Sequence, residues 1–236
     1  GALSDASTLC NIAHQHGCLT IVDTVTSLAG VELLVDDWGI DAIYSGTQKC
    51  LSCTPGLSPV SFSEAALEKV KNRQSAVQSW FMDLNLVMGY WGENAKRSYH
   101  HTAPINALYA LHESLVMLRE EGLENSWARH RRHHLALRAG LEALKISFVV
   151  DEADRLPQLN SVNIPEGVDD AAVRGRLLQE YGLEIGAGLG EMAGKIWRIG
   201  LMGTACSQRN VTYCLSALES VLGDSGGVAA AAEYYR

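Results

Sequence analysis

Over residues 1–70 the chain alternates helix-period segments with short apolar runs. Segment 4–16 places Leu9, Ile12 and Ala13 at helical spacing, with Gly17 where a C-terminal cap would sit. The run Cys18 to Asp23 reads as a strand, Val31 to Val35 as a short one, then 41–45 and Ser58 to Phe62. Ser63 stands as an N-cap before a helix carrying Ala66, Leu67 and Val70 on one face. Short strands interleaved with helices predict a mostly parallel sheet.

Trp80 to Thr102 is aromatic and irregular in pattern. Pro104 then opens a helix with Leu108, Leu111, Leu115 and Leu118, which ends near Gly122, and Leu123 to Leu144 forms a second. Beyond it, strands are expected near 146–150, 159–164, 183–186 and 196–200, with helices at 169–181 and 207–222. This pattern predicts a small α+β domain over 122–222, a first domain over 1–121, and a Gly/Ala-rich tail, 223–236, that frays.

Composition narrows the function classes. The 236 residues are 47% hydrophobic, enough for a sizeable core, and no apolar run approaches the ~18 residues of a membrane helix. A net charge of −8, from 19 basic and 27 acidic residues, argues against a nucleic-acid or anionic-membrane surface. Cys10, Cys18, Cys50, Cys53, Cys206 and Cys214 are scattered through helix and strand patterns, as in reduced cytosolic proteins. The chain begins with glycine just before a helix, so it reads as a piece of something longer, and no signal-peptide pattern opens it.

Two charges stand out, Asp23 ending one strand and Lys49 following another. In an open α/β sheet, ligands sit at the carboxyl ends of strands, so both side chains would face one crevice. An acid and an amine placed there suit pyridoxal 5'-phosphate, the lysine as Schiff-base amine and the acid as partner of the ring nitrogen. A simple strand-end ion pair is the alternative at this point. Arg198, inside the apolar strand Lys195 to Gly200, is either a structural ion pair or a fork for a substrate carboxylate. Thr102 lies near a helix N-terminus, a natural phosphate seat.

Other motifs are read as structural. His130 and His134 share a helix face, but the cluster through Arg131, Arg132 and His133 is expected to be a solvated basic surface with no metal. His14 and His16 are expected to complement a helix dipole. Cys50 and Cys53 form C-x-x-C without a second ligand pair and are read as small buried thiols. The glycines 186, 188, 190 and 194 fit neither a phosphate loop nor a dinucleotide fingerprint.

The stretches IVDTVTSLAG, GIDAIYSGTQKCLSCTPGLSPVSFS, YHHTAPINALYALHESL, EGLENSW and GKIWRIGLMG occur in order over almost the whole chain. Together they resemble the class V aminotransferases of pyridoxal-phosphate fold type I, and within them the alanine–glyoxylate and serine–glyoxylate (serine–pyruvate) group. The resemblance implies an α/β fold: the C-terminal part of the large, mostly parallel-sheet domain, then a small α+β C-terminal domain. It implies that Asp23 pairs with the pyridine nitrogen, Val25 packs on the ring, Lys49 carries the Schiff base and acts as general base, and Gln48 contacts the phosphate. It further implies that Tyr99 and Thr102 reach the phosphate of a neighbouring subunit's cofactor in a homodimer with shared active sites. Arg198 would bind the substrate carboxylate. The reaction implied is transamination between a small amino acid, alanine or serine, and a 2-oxo acid, glyoxylate or pyruvate. The family's N-terminal arm, its Gly/Ser phosphate loop and its ring-stacking aromatic have no counterpart in this sequence.

Two rivals accompany that reading. One is an inactive dimerisation module of the same fold. The other is a cysteine desulfurase-like lyase, which usually has His where Gln48 stands and needs a mobile cysteine, for which Cys206 is the candidate. A cytoplasmic location is expected, with peroxisome and mitochondrion left open; Glu233 to Arg236 is not a peroxisomal S-K-L ending.

Overall fold

The computed structural model of the chain describes residues 1–91 and 98–236. Helix α1, Ala6–Gln15, starts where the Asp5 carboxylate accepts from the Thr8 N–H at 3.0 Å, and Gly17, at φ +69°, turns the chain out of it. Strands β1 (Ile21–Asp23), β2 (Ala42–Tyr44) and β3 (Val60–Phe62) form one sheet in that order. β1 runs parallel to β2, with Asp23 opposite Tyr44, whereas β3 is antiparallel. The expected mostly parallel sheet is therefore half antiparallel over these three strands.

Val31 to Val35 is not a strand. Turn bonds, Trp38 N–H to Leu34 O at 2.9 Å and Ile40 N–H to Val35 O at 2.9 Å, satisfy its backbone locally. Leu33, Val35 and Trp38 then pack on Cys10, Ile40 and Ile43. Helix α2, Glu64–Lys71, is capped by Ser63, whose hydroxyl accepts from the Ala66 N–H at 3.1 Å. The stretch expected to be irregular contains helix α3, Leu84–Trp91; its remainder partly lies outside the described residues.

Helices α4 (Ile105–Glu121) and α5 (Leu123–Ala143) meet at Gly122, φ +84°. Strands β4 (Leu159–Asn163), β5 (Gly186–Ala187) and β6 (Ile196–Gly200) make a second, antiparallel sheet in the order β4-β6-β5, flanked by α6 (Asp170–Tyr181) and α7 (Gln208–Leu222). The strand expected at 146–150 reduces to one bridge, Phe148 to Val162. The main core lies here: Leu137, Leu141, Leu177, Trp197, Leu215 and Leu218 are each at most 1% exposed. Burial on this scale stabilises by about 1.5–3 kcal/mol per large side chain.

Two expectations fail for the same reason, which is packing against α5. Residues 223–236 do not fray. Helix α8, Gly227–Ala232, crosses α5 where a Cβ on Gly140 would lie 2.9 Å from the Gly227 carbonyl and 2.3 Å from Leu215. Small side chains on both helices permit that approach, and Ala231 is buried by it. The histidine face of α5 is likewise buried, with His130 at 0%, His133 at 8% and His134 at 6% exposure, while Arg131 and Arg132 face solvent. Among the described residues no helix is long and apolar enough to cross a membrane.

Candidate active site

The parallel register brings the carboxyl ends of β1 and β2 to one edge, so Asp23 and the segment after Tyr44 emerge together. The turn carrying Lys49 is held from below. Buried Thr47 donates its hydroxyl to Thr54 O at 2.7 Å, and the N–H groups of Ser52 and Cys53 bond to Lys49 O and Thr47 O at 2.9 and 3.0 Å. Gly46 leaves room for the Gln48 side chain, whose Oε1 would lie 2.8 Å from a Cβ there. Gln48 is exposed and Lys49 partly buried.

Asp23 and Lys49 are not an ion pair. Asp23 accepts from the Val25 N–H at 2.8 Å and from the Tyr44 hydroxyl at 2.9 Å, both neutral donors. Among the described residues Lys49 has no carboxylate within 4.0 Å and no hydrogen-bond partner for its ammonium. That overturns the bland alternative for this pair. Asp23 lines a cleft of about 510 Å³ with Val22, Thr26, Ser27, Leu156 and Leu159; Lys49 and Arg198 do not line it.

Arg198 occupies the middle of the central strand β6, opposite Ser161 on β4 and Gly186 on β5. Its Nε donates to Ala187 O at 2.7 Å, and the bare Gly186 lets the guanidinium lie across the strand. Among the described residues it is the one partly buried arginine without a carboxylate within 4.0 Å. Among the described residues Arg198 therefore has no structural ion pair, and its two terminal nitrogens make no hydrogen bond. Tyr99 and Thr102 bond to each other at 2.9 Å, both exposed, just before α4. No hydrogen bond joins either to Asp23, Gln48 or Lys49 among the described residues. Val25 is partly buried beside Asp23.

Sequence reasoning missed the residues that tie the lysine turn to the arginine strand. Ser52 Oγ accepts from the Thr204 N–H at 2.8 Å. The Gly203 N–H donates to His130 Nε2 at 2.9 Å, while His130 Nδ1 faces Ser126 O at 2.7 Å, which assigns the proton to Nδ1. Burial holds His130 below the ordinary imidazole value, so it stays neutral and able to accept. Arg129 donates to Gly203 O at 2.7 Å and to Cys206 O at 3.0 Å, and grips Glu121 with two bonds, which draws the Glu121 carboxyl below its usual range. The His/Arg run on α5 was visible, but Gly203, the partner that His130 and Arg129 share, lies 73 and 74 residues away along the chain.

The thiols are quiet. Burial pushes Cys50 up to about 11 and Cys206 up to about 12, and Cys206 has no exposed surface. A mobile, nucleophilic Cys206 does not fit this geometry. His14, expected to serve only the helix dipole, pairs with Asp41 at 2.7 Å.

The fold is that of the pyridoxal-phosphate-dependent aminotransferases of fold type I. Residues 1–204 match the family described as Aminotransferase class-V, and the chain belongs to that family. It is 41% identical over 224 residues to the alanine–glyoxylate aminotransferase of Callithrix jacchus, covering 94% of this chain and 54% of that protein. It resembles the crystal structure of alanine–glyoxylate aminotransferase from Nostoc sp. at 47% identity and TM-score 0.88, covering 94% of this chain and 58% of that one. The structure of ureidoglycine–glyoxylate aminotransferase from Bacillus subtilis gives 38% identity and TM-score 0.95, over all of this chain and 62% of that one. The chain spans about half the length of the curated relatives it matches.

Proposed function

We propose that this chain carries part of the active site of a transaminase acting between a small amino acid, alanine or serine, and glyoxylate or pyruvate, with pyridoxal 5'-phosphate as cofactor. The single observation that carries the reading is the set of three charges left without counter-charges among the described residues: Asp23, Lys49 and Arg198. Lys49 and Arg198 are partly buried, where an unpaired charge costs more than in water, while Asp23 is exposed and open to a ligand. Their types fit the cofactor: an anion for a ring nitrogen, an amine for an aldehyde, and a fork for a carboxylate.

When bound, pyridoxal phosphate supplies an aldehyde that condenses with amines and a ring that draws electrons from the substrate α-carbon. Asp23 would hold the ring nitrogen of the cofactor by pairing with it. Lys49 Nζ would hold the cofactor aldehyde and would serve as general base for the substrate α-proton. Arg198 fixes the substrate carboxylate by two parallel hydrogen bonds, which sets the angle of the α-hydrogen. Val25 packs against the ring, and Gln48 holds the phosphate, joined by Tyr99 and Thr102 of a neighbouring subunit in a homodimer. The exposed Tyr99–Thr102 pair supports that role, since among the described residues neither side chain bonds to Lys49 of its own chain. In this reading 1–121 belongs to the large domain and 122–222 to the small one. Six free cysteines accord with a reducing, cytoplasmic setting.

A second reading, a non-catalytic dimerisation module, is favoured by the apolar surface of α4, where Ile105, Leu108 and Tyr109 are 54%, 42% and 74% exposed. Absorbance separates the two. The transaminase reading expects a band near ~410–430 nm on adding pyridoxal phosphate, abolished by Lys49→Ala. A band that survives Lys49→Ala, or none with the wild-type chain, favours the module.

A further inference from the structure

Asp23 and Tyr44 are register partners on neighbouring parallel strands, so their side chains leave the sheet on the same face. The Tyr44 hydroxyl donates to one carboxylate oxygen of Asp23 at 2.9 Å, and the Val25 N–H donates to the other at 2.8 Å. A cation in either place would neutralise the carboxylate. Two neutral donors instead fix its plane and leave its charge intact.

The backbone behind Tyr44 is braced to an unusual degree for a strand end. Its carbonyl accepts from both the N–H and the hydroxyl of Thr24, at 2.9 and 2.8 Å. The Ser45 hydroxyl returns a bond to Thr24 O at 3.0 Å, and Thr24 and Ser45 are fully buried, at 0% and 2% exposure. The phenol itself is 41% exposed, so burial is not what the side chain contributes. Its hydrogen bond to Asp23 raises the phenol's ionisation above the ordinary tyrosine value. A rigid support that ends in one hydrogen bond to a carboxylate is arranged for that carboxylate.

We propose that Tyr44 is a positioning residue, whose hydroxyl holds the Asp23 carboxylate in the plane that receives the ring nitrogen of the cofactor. This inference rests on the transaminase reading and deepens it. Tyr44 need not touch the cofactor; it acts through Asp23.

The test is a double-mutant cycle on cofactor affinity in this chain, with Tyr44→Phe, Asp23→Asn and both together, read by titration with pyridoxal phosphate. Tyr44→Phe is expected to weaken affinity about 3- to 10-fold, the range of one hydrogen bond, and to have no further effect once Asp23 is Asn. An equal loss in both backgrounds overturns the proposal, because Tyr44 would then act without Asp23. A second readout needs no cofactor: in a carbon-13 tyrosine NMR titration, Tyr44 should ionise above the ordinary range, and Asp23→Asn should bring it down. An unchanged Tyr44 titration in Asp23→Asn removes the coupling and the proposal with it. If the wild-type chain binds no pyridoxal phosphate, the transaminase reading fails and this role fails with it. The NMR arm then shows whether the Tyr44–Asp23 bond exists regardless, which tells the two failures apart.

Discussion

The two sheets of this molecule handle charge differently. Around β4-β6-β5, Arg174 holds Asp170, which also accepts from the Trp197 indole; Arg176 holds Glu180, and Arg138 holds Glu152. At the carboxyl edge of β1 and β2, Asp23 meets only neutral donors and Lys49 meets none among the described residues. The apolar residues divide in the same way. Trp197, Leu141 and Leu215 are wholly buried, whereas Ile21 on β1 is 75% and Val60 on β3 48% exposed. One region is closed on itself, and the other leaves apolar side chains uncovered and charges without counter-charges among the described residues. Arg198 is the exception that joins them, an open charge on the closed sheet.

Substitutions that separate stability from ligand binding sharpen the contrast. The largest effect is expected in the closed region. Leu141→Ala, at 0% exposure, should lower unfolding free energy by about 2–5 kcal/mol in denaturant titrations, from lost burial and the cavity left behind. Arg198→Gln should invert that pattern. Stability should fall by only about 0.5–1.5 kcal/mol, the bond from Nε to Ala187 O, since no ion pair is broken among the described residues, whereas affinity for a small 2-oxo acid should fall about 10- to 100-fold. A large stability loss there would mean that Arg198 is a structural residue. Glu121→Gln comes next. It leaves the partly buried Arg129 without its partner and should cost about 1 kcal/mol, discounted because both side chains keep over a quarter of their surface in solvent.

The smallest effect is in pH. Burial lowers His130, His133 and His134 below the ordinary 6.5, so the unfolded chain binds more protons than the folded one below that value. Stability should be complete above pH 6.5 and decline as pH falls through the lowered folded values. Glu121, lowered from 4.5 by Arg129, adds a second loss only as pH falls below 4.5. A stability curve flat from pH 7 to 5 would contradict the buried-histidine network.

What was legible in the sequence follows the range of the forces involved. Asp23, Lys49 and Arg198 stand out because a charge at the end of, or inside, an apolar run is a local anomaly. Caps such as Ser63 and Gly17 are local too, and the structure has them. The α5 histidines are not, because Ser126 meets Ala29 across 97 residues and His130 meets Gly203 across 73; polarity alone suggests a wet face. The tail looks frayed for the same reason, since its burial depends on Gly140. Val31 to Val35 has strand composition but closes its hydrogen bonds in a turn. Tyr44 was visible only as strand filler, and its meaning needs the register that sets it beside Asp23.

The most direct test of the central claim, that Lys49 is held open for a cofactor aldehyde, is reductive trapping. The chain is treated with substoichiometric pyridoxal phosphate and borohydride, digested, and the modified lysine located by mass spectrometry. The account predicts one adduct, on Lys49, which is partly buried, in preference to the exposed Lys69, Lys71, Lys145 and Lys195. Label spread over the exposed lysines, with Lys49 no more modified than they are, would contradict it.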